Sequence, residues 1–162
     1  MKIAHPRINL KFLEGLPSEN FSDEFADKKP RILIIDDLMS EICNSDKLSN
    51  LFTRGSHHLN ISIFFLTQNL FLKSKCSRTL NLNSHYLIIF KNPRDATSIR
   101  HIAQQVFPSN SRFLQSAYEN AISEPYGYIL LDFKTQDDNL RVRTQILPNE
   151  PQFVYTPTKK YK

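Results

Sequence analysis

Four consecutive aliphatic residues, Ile32 to Ile35, stand between Arg31 and the acidic pair Asp36-Asp37. A run with no polar interruption predicts a strand buried on both faces, as in a parallel sheet. Ile61 to Leu66 repeats the pattern and ends at Thr67-Gln68-Asn69; Tyr86 to Phe90 is a third such run and Tyr128 to Phe133 a fourth. Ile8, Leu10 and Phe12 alternate with Asn9 and Lys11, which predicts a short half-buried strand broken by Gly15 and Pro17. Arg141 to Ile146 also alternates, and is expected to form a hairpin with the fourth run across Asp137-Asp138-Asn139.

Helical spacing fills the intervals. Leu48, Leu51 and Phe52, followed by Gly55 as a C-cap, predict a helix over 47–54. Asn92-Pro93 offers a cap and a first turn, and Ile99, Ile102, Ala103 and Val106 then share one face until Pro108. Phe113, Leu114, Ala117, Tyr118 and Ala121 form the next face, closed by Pro125. Strands separated by helices argue for an α/β domain with a mostly parallel sheet over residues 1–150. A basic, flexible tail is expected over 151–162.

Composition narrows the classes. Hydrophobic residues are 40% of the 162 and charged residues 23%, which supports a packed core and excludes a wholly disordered chain. No apolar stretch is long enough to cross a membrane, and the first residues lack a signal-peptide core. An intracellular protein, in the nucleus or cytoplasm of a host cell, is expected. Cys43 and Cys76 are the only cysteines and read as free thiols in a reducing compartment. A net charge of +5 is compatible with a polyanionic partner. Glycine occurs three times, at 15, 55 and 127, so no glycine-rich phosphate loop lies within the sequence.

In a parallel sheet, ligands bind beyond the C-terminal strand ends, where Asp36 and Asp37 fall. One carboxylate there can hold Mg²⁺ while its neighbour orients an attacking water; alternatively, Asp36 caps the following helix. Gln68 ends the next strand, where an amide can sense phosphate or position water, or serve as a cap or surface group. A receiver domain would need a further Asp two strands on, but no Asp or Glu lies between Asp46 and Asp95. The same gap argues against an acid-dependent nuclease. His57 and His58 are adjacent and lack a Cys or carboxylate partner nearby, which argues against zinc. Arg54 can be a finger reaching a neighbouring subunit's phosphates or a solvated surface residue. Lys73, Lys75 and Arg78 form a basic stretch between strands, suited to DNA phosphates or to solvent.

Ordered blocks carry a resemblance. They are Glu14-Gly-Leu-Pro17, Arg31-Ile-Leu-Ile-Ile-Asp-Asp-Leu-Met-Ser-Glu41, Leu51-Phe-Thr-Arg-Gly-Ser-His-His58, Asn60-Ile-Ser62, Gln68-Asn-Leu-Phe71, Ser77-Arg-Thr79 and Phe90-Lys-Asn-Pro-Arg-Asp95. Across about residues 8 to 150 the chain resembles the DNA-packaging ATPases of Polinton (Maverick) and adintovirus-like elements, in the FtsK/HerA superfamily of P-loop NTPases. The resemblance implies a viral ATPase that couples ATP hydrolysis to genome encapsidation. It implies Asp36 as the Walker B acid holding Mg²⁺, Asp37 as general base, Gln68 as polar sensor and Arg54 as a finger. It also implies a homo-oligomeric ring around double-stranded DNA, docked on a capsid, with no membrane partner.

Two departures accompany it. Walker B is Asp-Asp where the superfamily usually has Asp-Glu, one methylene longer. The Walker A pattern Gly-x-x-x-x-Gly-Lys-Ser/Thr, whose amides and Lys cradle phosphate, is absent. The chain is therefore expected to match the C-terminal two-thirds of such an ATPase and to be inactive alone. The alternative is a non-catalytic remnant that binds or interferes with intact homologues. The family strand order, 5-1-4-3-2, makes Ile8–Phe12, Ile32–Ile35, Ile61–Leu66 and Tyr86–Phe90 strands two to five. Without the Walker A strand, a gap or a non-native pairing is expected between the last two, with marginal stability or self-association.

Overall fold

The computed structural model describes residues 9–15, 29–38, 60–68, 75–95 and 97–158. The chain divides into two compact units, Met1–Asn83 and Ser84–Lys162. The predicted helix over 47–54 lies outside the described residues.

In the first unit, β1 (Arg31–Asp36) and β2 (Ile61–Leu66) pair in parallel, in register from Arg31 opposite Ile61 to Asp36 opposite Leu66. Their apolar runs do not bury both faces. Ile35 and Ile61 are buried, whereas Ile32 is 67% exposed and Ile34 63%, beside half-exposed Phe64 and Leu66. Two strands with a pleat offer alternate faces, and only one is covered here. Residues 9–12 are not in a strand, and Leu10 and Phe12 are exposed; no described strand pairs with them, so the expected first strand is corrected. Helix α1 (Lys75–Asn83) runs through part of the basic stretch that the sequence places between strands, and Leu80 is buried.

The second unit holds a four-stranded sheet. β3 (Tyr86–Phe90) is followed by α2 (Ser98–Val106), α3 (Ser111–Ala121) and β4 (Tyr128–Asp132). A short 3₁₀ turn over Asp138–Leu140 leads into β5 (Val142–Thr144), and β6 (Phe153–Tyr155) completes the order β3-β4-β5-β6. Every pair in this sheet is antiparallel. The expected mostly parallel sheet is thus corrected: parallel pairing is confined to β1 and β2, and β3 runs against β4. The fold is mixed α/β, and the expected hairpin is present as β4–β5. Phe153–Tyr155, placed by composition in a flexible tail, form β6 instead.

Ile61–Leu66 and Tyr86–Phe90 lie in different sheets, the first paired with β1 and the second with β4. Helix α3 packs on β4 and β5, and α2 packs on α3. Leu114, Ile129, Leu131 and Val142 are the fully buried centre, joined by Ile99, Ile102, Ala103 and Ala117. Burying a large aliphatic side chain contributes about 1.5–3 kcal/mol, so these residues dominate the unit's stability. The alternate β3 side chains, Tyr86, Ile88 and Phe90, remain exposed.

Helix α2 starts later than Asn92-Pro93 suggests. Asn92 Oδ1 accepts from the Arg94 amide at 3.1 Å and shapes a turn. Asp95 provides the cap, its Oδ1 accepting from the Ser98 amide at 3.0 Å and its carboxylate also bonding the Ser98 hydroxyl. Phe107 ends the helix ahead of Pro108, as the sequence indicates.

Candidate functional site

Parallel pairing brings the C-terminal ends of β1 and β2 side by side, because equal-length strands in full register finish together. The ladder runs one residue beyond β1, where the Asp37 amide donates to the Leu66 carbonyl at 3.1 Å. There the backbone turns to φ 53 at Asp37, outside the range a continuing strand needs. The chain leaves the sheet at this point. Across the pair, Gln68 Nε2 donates to Asp37 Oδ2 at 3.4 Å. Two residues 31 apart in sequence are thereby joined at one sheet end.

Asp36, Asp37 and Gln68 are all exposed. By strand alternation Asp36 shares the face of Ile32 and Ile34 and stands opposite Leu66. Among the described residues it makes no hydrogen bond or ion pair. A solvated carboxylate without a protein partner suits a Mg²⁺ ion held by one or two acids, with phosphate oxygens and water completing the shell. A full protein cage is not formed: no group of three or more His, Cys, Asp or Glu able to hold a metal occurs among the described residues. The acid side of a Mg-nucleotide site therefore fits these residues, and the phosphate cradle has no counterpart in the sequence.

The other expected site residues separate from this cluster. Arg54 and Lys73 lie outside the described residues. Lys75 opens α1, where its backbone alone is described, and Arg78 is exposed on the same helix. Among the described residues the Arg78 guanidinium has no hydrogen-bond or ion-pair partner. The structure thus joins Asp37 with Gln68, sets Asp36 beside Asp37 in the chain, and brings no described cation to them through a hydrogen bond or ion pair.

The sequence signal for the Asp95 cap is Asp-x-x-Ser before an apolar helical face, which Asn92-Pro93 a few residues earlier masks. The Asp95 carboxyl is held below the usual carboxylate range, chiefly by the Ser98 hydroxyl, with Thr97 and the backbone amides adding to the effect. Asp132 is a second structural acid. It is buried, its Oδ1 accepts from the Lys134 and Thr135 amides at 2.9 and 3.1 Å, and its Oδ2 pairs with Arg143 of β5. These bonds fix the β4–β5 connection.

No described helix is long and apolar enough to cross a membrane. No protein-family model matches the chain, and neither a curated protein nor a solved structure matches it significantly.

Proposed function

We propose that this chain carries the Walker B side of a viral DNA-packaging ATPase, a ring-forming motor that moves double-stranded DNA into a capsid. The observation that supports the reading is the Asp37–Gln68 hydrogen bond at the paired ends of two parallel strands. It joins the two residues to which the resemblance gives the base and sensor roles. The resemblance itself supplies the substrate and partners.

In this reading Asp36 holds Mg²⁺ and Asp37 orients the attacking water. Gln68 occupies one Asp37 oxygen, Oδ2, so that Oδ1 is left to accept from water. ATP bound with Mg²⁺ supplies the phosphoryl group whose hydrolysis powers translocation. The cradle for its phosphates belongs to a segment outside these 162 residues, since the needed glycine and lysine pattern is missing from them. That absence also favours the second reading, a non-catalytic subunit that enters or disturbs a ring of intact homologues.

Joining the P-loop segment of a Polinton-type packaging ATPase ahead of Met1 tests the proposal. ATP hydrolysis stimulated by double-stranded DNA and lost in Asp37→Asn supports the motor reading. A folded fusion that binds Mg-ATP without hydrolysing it favours the non-catalytic subunit.

A further inference from the structure

The second unit contains a cleft of about 310 Å³ where β3 ends and α2 and α3 meet. Its size falls within the range of small-molecule sites, about 300–1,000 Å³. Lys91 and Asn92, just after β3, contribute one side, Arg100 of α2 a second, and Gln115 and Glu119 of α3 a third. None of these residues belongs to the Asp36–Asp37–Gln68 cluster.

The polar atoms sort by chemistry. Among the described residues Lys91 and Arg100 make no ion pair, so their charges are available to an anion. Asn92 has its Oδ1 occupied by the Arg94 amide, which leaves Nδ2 as a third donor. Gln115 has the opposite polarity: Nε2 donates to the Ser111 carbonyl at 3.2 Å and Oε1 stays free to accept. Glu119, one turn further along α3, is a second acceptor and has no cation partner. Three donors, two of them charged, therefore accompany two acceptors.

The walls are fixed by the fold. Tyr118 donates its hydroxyl to the Phe90 carbonyl at 3.1 Å, which locks α3 to the end of β3. The Asp95 amide donates to the Asn92 carbonyl at 3.2 Å and closes the loop that carries Lys91 and Asn92. These bonds position the backbone from which the lining side chains project.

We propose that this cleft binds phosphorylated ribose, as a free sugar phosphate or as part of a mononucleotide. Lys91, Arg100 and Asn92 Nδ2 hold the phosphate through charge-assisted hydrogen bonds. Gln115 Oε1 and Glu119 accept from ribose hydroxyls, which inorganic phosphate alone does not present in that form.

Calorimetric titration of the whole chain with ribose 5-phosphate, adenosine 5′-monophosphate and inorganic phosphate tests the site. The two ribose phosphates are expected to saturate and to bind at least about tenfold more tightly than inorganic phosphate, with Arg100→Ala and Lys91→Ala each weakening them about tenfold. Both cations are exposed, so these variants retain the core. Gln115→Leu should weaken ribose 5-phosphate and spare inorganic phosphate. Equal affinity for the two ribose phosphates identifies the sugar phosphate as ligand, and a stronger response to the nucleotide identifies the latter. Binding that persists without Mg²⁺ and in Asp36→Ala separates this site from the Asp36–Asp37–Gln68 cluster. Absence of saturation, equal binding of inorganic phosphate, or indifference to Arg100→Ala overturns the proposal.

Discussion

Tyr155 donates its hydroxyl to Asn120 Oδ1 at 2.7 Å, linking the last described strand to α3 across 35 residues. Burial pushes the Tyr155 phenol above its ordinary value. The residue therefore belongs to the packed unit and not to a frayed end.

Tyr155→Phe is expected to cost about 0.5–1.5 kcal/mol, the net worth of one neutral hydrogen bond. The folded state holds the phenol proton more tightly than the unfolded state does. Its contribution is complete below the unfolded value, about 10, and is lost as pH rises through the higher folded value. Thermal melts should show an alkaline decline that is smaller in Tyr155→Phe, and identical declines would remove Tyr155 as the cause.

Acid acts through Asp95. Because Asp95 is held below the usual range, its contribution is present above the unfolded value of about 4 and disappears as pH falls through the lower folded value. Asp95→Ala should lower stability by about 1 kcal/mol at neutral pH and by less in acid. Chemical denaturation at both pH values measures the difference.

The turn before β4 makes a steric prediction. The Gly127 amide donates to the Glu124 carbonyl at 3.1 Å, and a Cβ at Gly127 would stand 2.2 Å from the Ala121 carbonyl oxygen. Since backbone must move to admit it, Gly127→Ala should destabilise by about 1–3 kcal/mol. At the preceding residue, Tyr126 is 95% exposed with φ 61, so Tyr126→Gly should cost little or stabilise. Equal losses in the two variants would contradict this account.

At the first unit, calorimetry of the isolated chain with Mg-ATP should give no saturable binding in the low-micromolar range. Asp36 cannot replace a cradle of amides and lysine that would make most of the phosphate contacts. Arg100→Ala serves as the background, so that weak binding in the second unit is not counted.

In an active fusion, Asp37→Asn should lower turnover by about 10²-fold or more and leave nucleotide binding intact, because the amide keeps the shape but loses the anion. Single-turnover hydrolysis beside a binding titration separates the two effects. Turnover at the parent rate would dismiss Asp37 as base.

Strand positions were legible because their signals are local: the apolar runs at Ile32, Ile61, Tyr86 and Tyr128 all become strands. Strand direction was not. An uninterrupted run such as Tyr128–Asp132 reads as parallel, yet it is buried here as an inner strand of an antiparallel sheet covered by α3. β6 escaped notice because Phe153, Val154 and Tyr155 form too short a run to stand out, and its pairing with β5 is a tertiary effect. Asp37 and Gln68 could be singled out by their places after apolar runs, and their hydrogen bond follows from the register that joins those runs. The cleft after β3 had no linear signature, because its polar groups come from a loop and two separate helices.

The left-handed backbone at Asp37 has a consequence for the identity of the acid. Asp and Asn are the residues, after Gly, that occupy positive φ most readily, since their short side chains bond to nearby groups. A Glu here would gain a methylene of reach and lose that conformational match. Side-chain length and chain direction are therefore chosen together at the end of β1, and the shorter acid is the one its own backbone selects.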